Sequence, residues 1–290
     1  MKRRLAAVLL ALLTATLLTA AEVARPHVLV TNDDGIDAPG LAALVEALRL
    51  DYRITVVAPA QEQSGMSHSI TYRTPVLVEE RPGTEGVRRF AVYAQPATCT
   101  RIAVTALLAA DPPVLVLSGI NRGDNAGRAT WLSATVAGAR EGALAGLPAV
   151  AYSAAAPRGA DPDWAAAAPW ARLVLQRLRV AGLPAQGQLV NVEIPHPAAG
   201  ACGVLVTRVG MAPNREDRYE EKAGPNGERL FVNRFAPPDT DIPGTDVRGL
   251  ADGFVTVTSL TLDQTDYRGL PALMAVPWAA APLPAATPAP

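Results

Sequence analysis

The stretch His27-Val-Leu-Val-Thr-Asn-Asp-Asp-Gly35 is an apolar run that ends on two adjacent carboxylates, Asp33 and Asp34. A short, β-branched apolar run followed by turn-forming residues is typical of a buried strand. In an open α/β sheet, ligands bind just beyond the carboxyl ends of the strands, and oxygen ligands suit Mg²⁺ or Mn²⁺. The stretch therefore predicts either a hard-cation site or a plain turn that caps a helix starting near Gly40.

Outside this stretch, apolar strand-like runs alternate with helical runs rich in Ala and Leu. This alternation predicts an α/β fold: a Rossmann-like three-layer sandwich with a mostly parallel sheet. The helical periodicity fades after residue 194, and residues 203–262 are predicted to form a C-terminal antiparallel β extension. The predicted strands are 28–31, 53–58, 114–118, 149–153, 189–194, 203–208, 228–235 and 254–262, with a hairpin within 71–92; the predicted helices are 41–50, 98–109, 134–144 and 164–180.

The first residues have the features of a targeting segment. Three basic residues at positions 2–4 precede an uncharged apolar run over 5–21, which ends in small residues. This pattern predicts a signal peptide at 1–21, and hence export and no stable membrane insertion after cleavage. The alternative is an uncleaved anchor formed by residues 5–21, because the run lies at the lower limit of spanning length.

The composition bounds the rest of the chain. With 290 residues, 49% of them hydrophobic, the chain is large enough for one α/β domain, which we place at residues 22–278. Residues 279–290 contain only Ala, Pro, Leu and Thr, a composition that predicts a disordered tail. The net charge is −1, and loss of the three basic leader residues would make it −4. No stripe of Lys and Arg with interleaved aromatic residues occurs, so we expect small ligands and no nucleic-acid polymer.

Two cysteines, Cys99 and Cys202, lack metal-ligand spacing. An exported protein could join them in a disulfide. A domain of this size can be stable without a disulfide cross-link, so we expect two buried free thiols.

The second polar segment, Val56-Val-Ala-Pro-Ala-Gln-Glu-Gln-Ser64-Gly-Met-Ser-His-Ser-Ile-Thr71, follows the second predicted strand. If the first two strands are neighbours, Ser64 would lie beside the Asp pair, where its hydroxyl could complete a metal shell; otherwise the segment is a polar surface loop. In an extended chain His68 would point away from Ser67 and Ser69, which argues against a local Ser–His nucleophile. His68 could serve as a general acid or be a solvated loop histidine.

Two further motifs add anion chemistry. In Ser118-Gly-Ile-Asn-Arg-Gly-Asp-Asn-Ala-Gly127 the glycines would let the backbone approach a ligand, and their amides could form an anion-binding nest. Within it, Asn121 offers a neutral oxygen to a cation, while Asn125 could donate to a phosphate or close a turn. In Leu132-Ser-Ala-Thr135, Ser133 would cap a helix whose first amides either bind an anion or are merely capped. Together the motifs predict a cation site and a phosphate cradle on one rim of the sheet.

This combination resembles the SurE family, the survival-protein phosphatases that act as 5′/3′-nucleotidases. The resemblance covers most of residues 27–266 and includes Gly244-Thr-Asp246 and residues 253–260. Ala60 and Leu132 depart from it, because the family usually has an acidic residue and a tyrosine there. The resemblance implies hydrolysis of nucleoside monophosphates or other small phosphomonoesters, including acid phosphatase activity, and a homodimer or tetramer.

By resemblance, one divalent ion, Mg²⁺ or Mn²⁺, would act as cofactor. Its implied ligands are Asp33, Asp34, Ser64 and Asn121; the implied catalytic residues are Asp33 and Asn121; and the implied substrate-binding residues are Asn32, Asn125, Ser133 and Thr135.

Two other functions remain open from the sequence. One is an exported nucleotide- or phosphate-binding module without turnover. The other is a serine hydrolase that uses Ser64, Ser67 or Ser69, which would keep its activity when metal ions are chelated.

Overall fold

The computed structural model describes residues 25–84, 86–157, 159–238 and 242–276. The predicted signal peptide and the predicted tail at 279–290 lie outside these residues. Within the described ranges, every helix is too short or too polar to cross a membrane.

The elements follow one another in a mixed α/β order. They are β1 (His27–Thr31), α1 (Pro39–Leu48), β2 (Arg53–Pro59), β3 (Val78–Thr84), β4 (Val87–Val92), α2 (Pro96–Ile102) with a π-helical turn (Ala103–Leu107), β5 (Leu115–Arg122), α3 (Ala129–Leu132), α4 (Ala134–Leu144), β6 (Ala149–Ala154), α5 (Trp164–Val180), β7 (Leu189–Ile194), a 3₁₀ turn (Ala198–Gly200), β8 (Val204–Thr207), β9 (Glu216–Ala223), β10 (Arg229–Ala236), α6 (Asp246–Ala251), β11 (Val255–Leu260) and α7 (Leu270–Met274).

Nine strands form one sheet in the order β3-β4-β2-β1-β5-β6-β7-β11-β8. All neighbours from β4 to β7 are parallel, whereas β3 is antiparallel to β4 and β11 is antiparallel to β7. The chain runs from β1 to β2 on one side and later places β5 on the other side of β1. The carboxyl ends of β1 and β5 therefore flank a topological switch point, where α/β proteins bind ligands.

Helices cover both faces of this sheet. Val28 and Val30 lie in one core cluster with residues of α1 and α5, while Leu29 lies in a second cluster with residues of α2 and α4. This division follows from the alternation of side chains along a strand. The predicted Rossmann-like three-layer sandwich, with its mostly parallel sheet, is confirmed.

The C-terminal β extension is built differently from the prediction. A separate antiparallel pair exists, but it consists of β9 and β10. The predicted strands at 203–208 and 254–262 instead join the main sheet as β8 and β11, which are parallel to each other. Alternation in a sequence identifies a strand but not its partner, and here β11 covers the open edge of β7. β9 was not predicted, because its residues Glu216–Ala223 lack an apolar face.

Two further expectations needed correction. The predicted helix over 98–109 begins at Pro96, a residue suited to a first helical turn, and changes at Ala103 to a π-helical turn in which Leu108 N–H donates to Ala103 O at 2.9 Å. Cys99 is buried as expected, but Cys202 is exposed, because it lies in the loop that leads to the outermost strand β8. The predicted hairpin within 71–92 is confirmed as β3 and β4.

Candidate active site

The carboxyl ends of three neighbouring strands meet at the switch point. Asp33 and Asp34 follow β1. The loop after β2 is held to them because Gln63 N–H donates to Asp33 O at 2.8 Å. The end of β5 is held as well, since Arg122 N–H donates to Asp34 Oδ2 at 3.1 Å. β1 and β2 are neighbours in the sheet. This is the condition under which the sequence analysis placed Ser64 beside Asp33 and Asp34.

The two carboxylates lie in a partly dehydrated environment. Asp33 is 3% exposed, and burial raises its pKa to about 6 despite the hydrogen bond that it accepts from the Thr135 hydroxyl. Burial also raises the pKa of Asp34. Burying adjacent carboxylates is unfavourable unless a cation or hydrogen bonds compensate. The pair is therefore suited to hold a positive ion.

Neutral oxygen atoms complete the donor set. Asn121 donates its Nδ2 to Gly123 O at 2.8 Å, so its Oδ1 is the atom available to a cation. Asn32 donates Nδ2 to Gly35 O at 2.8 Å, while its buried Oδ1 has no hydrogen-bond partner. Ser64 is exposed, one residue beyond the tethered Gln63. Such an oxygen-only set fits Mg²⁺ or Mn²⁺. In the described ranges no group of three or more His, Cys, Asp or Glu residues could hold a metal ion, so neutral ligands would have to contribute.

The amino end of α4 completes the site. Ser133 is its N-cap, as predicted: its hydroxyl accepts a hydrogen bond from Val136 N–H at 3.0 Å. Thr135 in the first turn donates to Asp33, which fixes the helix end against the end of β1. A helix amino end presents free N–H groups and a positive dipole end, which favour a bound anion. The acidic pair and the amino end of α4 therefore share one rim of the sheet.

The glycine-rich loop after β5 is not the predicted anion nest. The N–H groups of Gly123, Asn125 and Gly127 donate inward, to Ala154 O, Glu193 Oε2 and Asp246 Oδ2, all at 2.9 Å. Those amides cannot also bind a phosphate. The glycines are required for shape instead: at Gly127, where φ is +60°, a Cβ atom would lie 2.7 Å from Gly210 O.

Asn125 makes its hydrogen bonds within the protein, to residues near the carboxyl ends of β6 and β7. Its N–H binds Glu193 and its Nδ2 donates to Ser153 Oγ at 3.0 Å, so both kinds of donor are used inside the protein. These contacts favour the turn-closing alternative for Asn125, and its role in substrate binding stays a prediction.

Sequence reasoning missed the buried groups that support this loop. Glu193 is the next-to-last residue of β7, and burial raises its pKa well above the usual value. Asp246 accepts hydrogen bonds from the N–H groups of Gly127, Gly210 and Val247. A signal was present in both cases: Glu193 is a lone acidic residue in an otherwise uncharged strand, and Asp246 belongs to the Gly-Thr-Asp motif.

Ser67 does not form a nucleophile pair with the adjacent His68. Ser67 donates its hydroxyl to Trp131 O at 2.7 Å, whereas His68 Nε2 lies 2.9 Å from Glu141 Oε2. The two side chains therefore diverge, although Ser67 is not extended as the sequence argument assumed, since its φ is +50°. His68 is also not a freely solvated loop histidine, because its partner Glu141 is 4% exposed.

Comparison with known proteins identifies the family of the chain. Residues 28–216 match the family model described as survival protein SurE. A 5′-nucleotidase SurE from Azorhizobium caulinodans is 37% identical over 245 residues, which cover 83% of this chain and 94% of that protein. One from Rhodopirellula baltica is 41% identical over 242 residues, which cover 82% and 94%.

A solved structure gives the same result. The crystal structure of the SurE protein from Aquifex aeolicus superimposes with a TM-score of 0.73 at 31% identity, covering 86% of this chain and 98% of that one. The chain belongs to the SurE family and is an enzyme of that family.

Proposed function

We propose that this protein is a divalent-metal-dependent phosphomonoester hydrolase that acts on nucleoside monophosphates. The observation that carries the proposal is the meeting of Asp33 and Asp34 with the amino end of α4 at the switch point. A cation site and an anion site in contact are the requirements for metal-assisted phosphoryl transfer. The names of the relatives, 5′-nucleotidase SurE, support nucleotides as the substrate class.

Asp33, Asp34, Ser64 and Asn121 would hold one Mg²⁺ or Mn²⁺. When bound, the ion would polarise a phosphoryl oxygen and lower the pKa of a water molecule for in-line attack. The chain itself fixes the carboxylates. Thr135 orients Asp33 through its hydroxyl, and the Arg122 amide orients Asp34.

The phosphate would lie against the first turn of α4. The Ser133 hydroxyl accepts from Val136 N–H, so its own hydrogen remains to donate to a phosphate oxygen. The positive end of the helix would favour the charge that spreads over the phosphoryl oxygens in the transition state. Asn32 Oδ1, buried and without a partner, would accept from a water or a substrate hydroxyl beside Asp33.

One assay separates this function from its alternatives. Release of inorganic phosphate from nucleoside monophosphates should stop on addition of EDTA and return with Mg²⁺ or Mn²⁺. A binding module would retain nucleotide but release no phosphate at any metal concentration. A serine hydrolase would continue to turn over in EDTA, and either result would refute the proposal.

We further propose that the enzyme is exported. The basic residues at positions 2–4 and the apolar run over 5–21 support a cleaved signal peptide. Intact-mass analysis of protein from the native cell envelope should show loss of residues 1–21. A full-length mass in the membrane fraction would instead establish an anchored enzyme.

The proposed assembly is a homodimer or tetramer. The β9–β10 hairpin supports it, because Phe231 and Phe235 are 55% and 53% exposed there. Sedimentation velocity of the purified enzyme should give a mass of two or four chains, and a monomer at all concentrations would refute the assembly.

A further inference from the structure

The segment that carries Ser64 is held by hydrogen bonds at both of its ends. We call residues 63–68 the Ser64 arch. At one end, Gln63 N–H donates to Asp33 O at 2.8 Å. At the other, Ser67 N–H donates to Leu132 O at 3.1 Å and Ser67 Oγ donates to Trp131 O at 2.7 Å. One support therefore lies on the cation site and the other on α3, immediately before the cap of α4.

Local hydrogen bonds hold part of the arch: Ser64 N–H donates to Glu62 Oε1 at 2.7 Å, and Ser69 N–H donates to Met66 O at 3.2 Å. Gly65 has φ +71° with no atom near the position of a Cβ, and Ser67 has φ +50°. Among the non-glycine residues that the structure describes, Ser67 is the one with positive φ. A left-handed serine persists only where surrounding contacts hold it. Ser64 lies exposed between the two supports, so the far support contributes to its position together with the near one.

His68 is the side chain that anchors the far support in the protein interior. Its Nε2 lies 2.9 Å from Oε2 of the buried Glu141 on α4. Glu141 Oε1 accepts from Arg101 Nε on α2 at 2.6 Å, and Arg101 donates to the Tyr72 hydroxyl at 2.8 Å. Burial opposes ionisation of Glu141, but the hydrogen bonds from His68 and Arg101 outweigh it and hold the pKa of Glu141 below its usual value. The carboxylate can therefore accept from both partners.

We propose that His68 is a positioning residue for the metal site: bound to Glu141, it holds the Ser64 arch so that Ser64 faces Asp33 and Asp34. This inference rests on the proposed function in one respect, the assignment of Ser64 as a metal ligand. It assigns no contact between His68 and the substrate. Glu141 and Arg101 extend the support to α4 and α2, the two helices on that face of the sheet.

The test compares His68→Ala, Glu141→Gln and the double variant, with the exposed His196→Ala as the matched control. The probe is Mn²⁺ alone, with unbound ion measured by electron paramagnetic resonance. We expect His68→Ala to weaken Mn²⁺ binding about 10-fold, the lower end of the effect of partners that orient metal ligands. The double variant should be no weaker than His68→Ala, since the two residues act as one unit. His196→Ala should bind Mn²⁺ as the wild type does.

Two further readouts distinguish positioning from a general loss of structure. Hydrogen exchange should accelerate in residues 63–68 of His68→Ala and stay unchanged in α4. At saturating Mn²⁺, kcat should recover to within about twofold of the wild type, because the chemistry itself does not use His68. His68→Gln, which keeps a side-chain donor, should retain part of the affinity and provides the comparison if His68→Ala does not fold.

Unchanged Mn²⁺ affinity in both His68 variants would overturn the inference, because the arch would then hold Ser64 without the histidine. A loss of kcat at unchanged affinity would overturn it too, by placing His68 in contact with the reacting groups. The proposed function fails separately: if wild-type protein bound Mn²⁺ but released no phosphate, the Mn²⁺ and exchange measurements would still decide the role of His68.

Discussion

The acidic residues at the carboxyl edge of the sheet and those of the β9–β10 hairpin lie in opposite environments. Asp33 and Glu193 are buried, and burial raises the pKa of each. On the hairpin, Glu220 and Glu221 instead have their pKa values lowered by hydrogen bonds from Arg234 and Arg229. Exposed ion pairs of this kind contribute little stability, whereas buried carboxylates are unfavourable unless another interaction compensates. At the sheet edge these acids are buried and hydrogen-bonded, Asp33 to Thr135 and Glu193 to the loop after β5, whereas the hairpin acids form exposed ion pairs.

The largest expected effect comes from removing one anionic ligand at the edge. Asp34→Asn should reduce Mg²⁺ or Mn²⁺ affinity and the phosphatase rate by roughly 100-fold or more, since even the outer partners of metal ligands are worth about 10–100-fold. The fold should remain intact, because the amide oxygen of the substituted side chain could still accept from Arg122 N–H. Asp37→Asn, whose carboxylate is exposed, is the matched control. Wild-type turnover of Asp34→Asn at low metal would remove Asp34 from the site.

The next effect separates the cation side of the edge from the anion side. Thr135→Val removes the hydroxyl that donates to Asp33, so the pKa of Asp33 should rise further and metal binding should weaken at acidic pH.

Ser133→Ala should leave metal affinity unchanged and lower kcat/KM by roughly 10- to 150-fold, the equivalent of one hydrogen bond to a charged group at about 1.5–3 kcal/mol.

Ser133→Ala also removes a helix cap, which costs about 0.5–2 kcal/mol of stability. Kinetics should therefore be measured well below the melting transition, with metal affinity measured on the same samples. A variant that melts earlier but keeps its kcat/KM would make Ser133 a structural cap only.

A smaller effect concerns pH and stability. The folded protein keeps Glu193 protonated above the pH at which the unfolded chain ionises it. The stability that this carboxyl contributes is therefore fully present below its unfolded pKa of about 4.3 and declines as the pH rises toward the raised folded pKa, by about 1.4 kcal/mol for each pKa unit. Urea unfolding of the wild type and of Glu193→Gln should be measured at several pH values. The free energy of unfolding of the wild type should fall relative to that of the variant as the pH rises. If the difference in unfolding free energy between the two proteins did not change with pH, the result would show that Glu193 is ionised in the folded state.

The smallest effect should come from the hairpin. Glu221→Gln removes the charge and one acceptor oxygen of a carboxylate that accepts two hydrogen bonds from Arg229, at 2.6 and 2.9 Å. The pKa of Glu221 is lowered, so its contribution to stability is present above the unfolded pKa and is lost as the pH falls, the opposite of Glu193. We expect a melting temperature close to that of the wild type, no difference at high salt, and unchanged kcat/KM. A large loss of activity would show that the hairpin takes part in the site.

The sequence predicted the parts of the site that local patterns encode. The run into Asp33 and Asp34, the cap at Ser133 and the parallel order of the central strands all follow from periodicity and turn chemistry. It did not predict groups that meet only after folding. The amides of the glycines in the loop after β5 were expected to face an anion, but Gly127 N–H donates to Asp246, and the nearby Asn125 N–H donates to Glu193; both acceptors are distant in sequence. The partners of β8 and β11 were missed for the same reason, because pairing depends on which edge remains open.

The most direct test of the central claim measures phosphate release from a nucleoside monophosphate as a function of bound Mn²⁺ on the same samples. We expect turnover to rise in proportion to the occupancy of one site per chain and to vanish in the metal-free wild type. In Asp34→Asn, the curve should shift to far higher Mn²⁺ concentrations. Full turnover with no bound metal, or turnover unrelated to occupancy, would contradict the assignment of Asp33 and Asp34 as the metal-binding centre of a phosphatase.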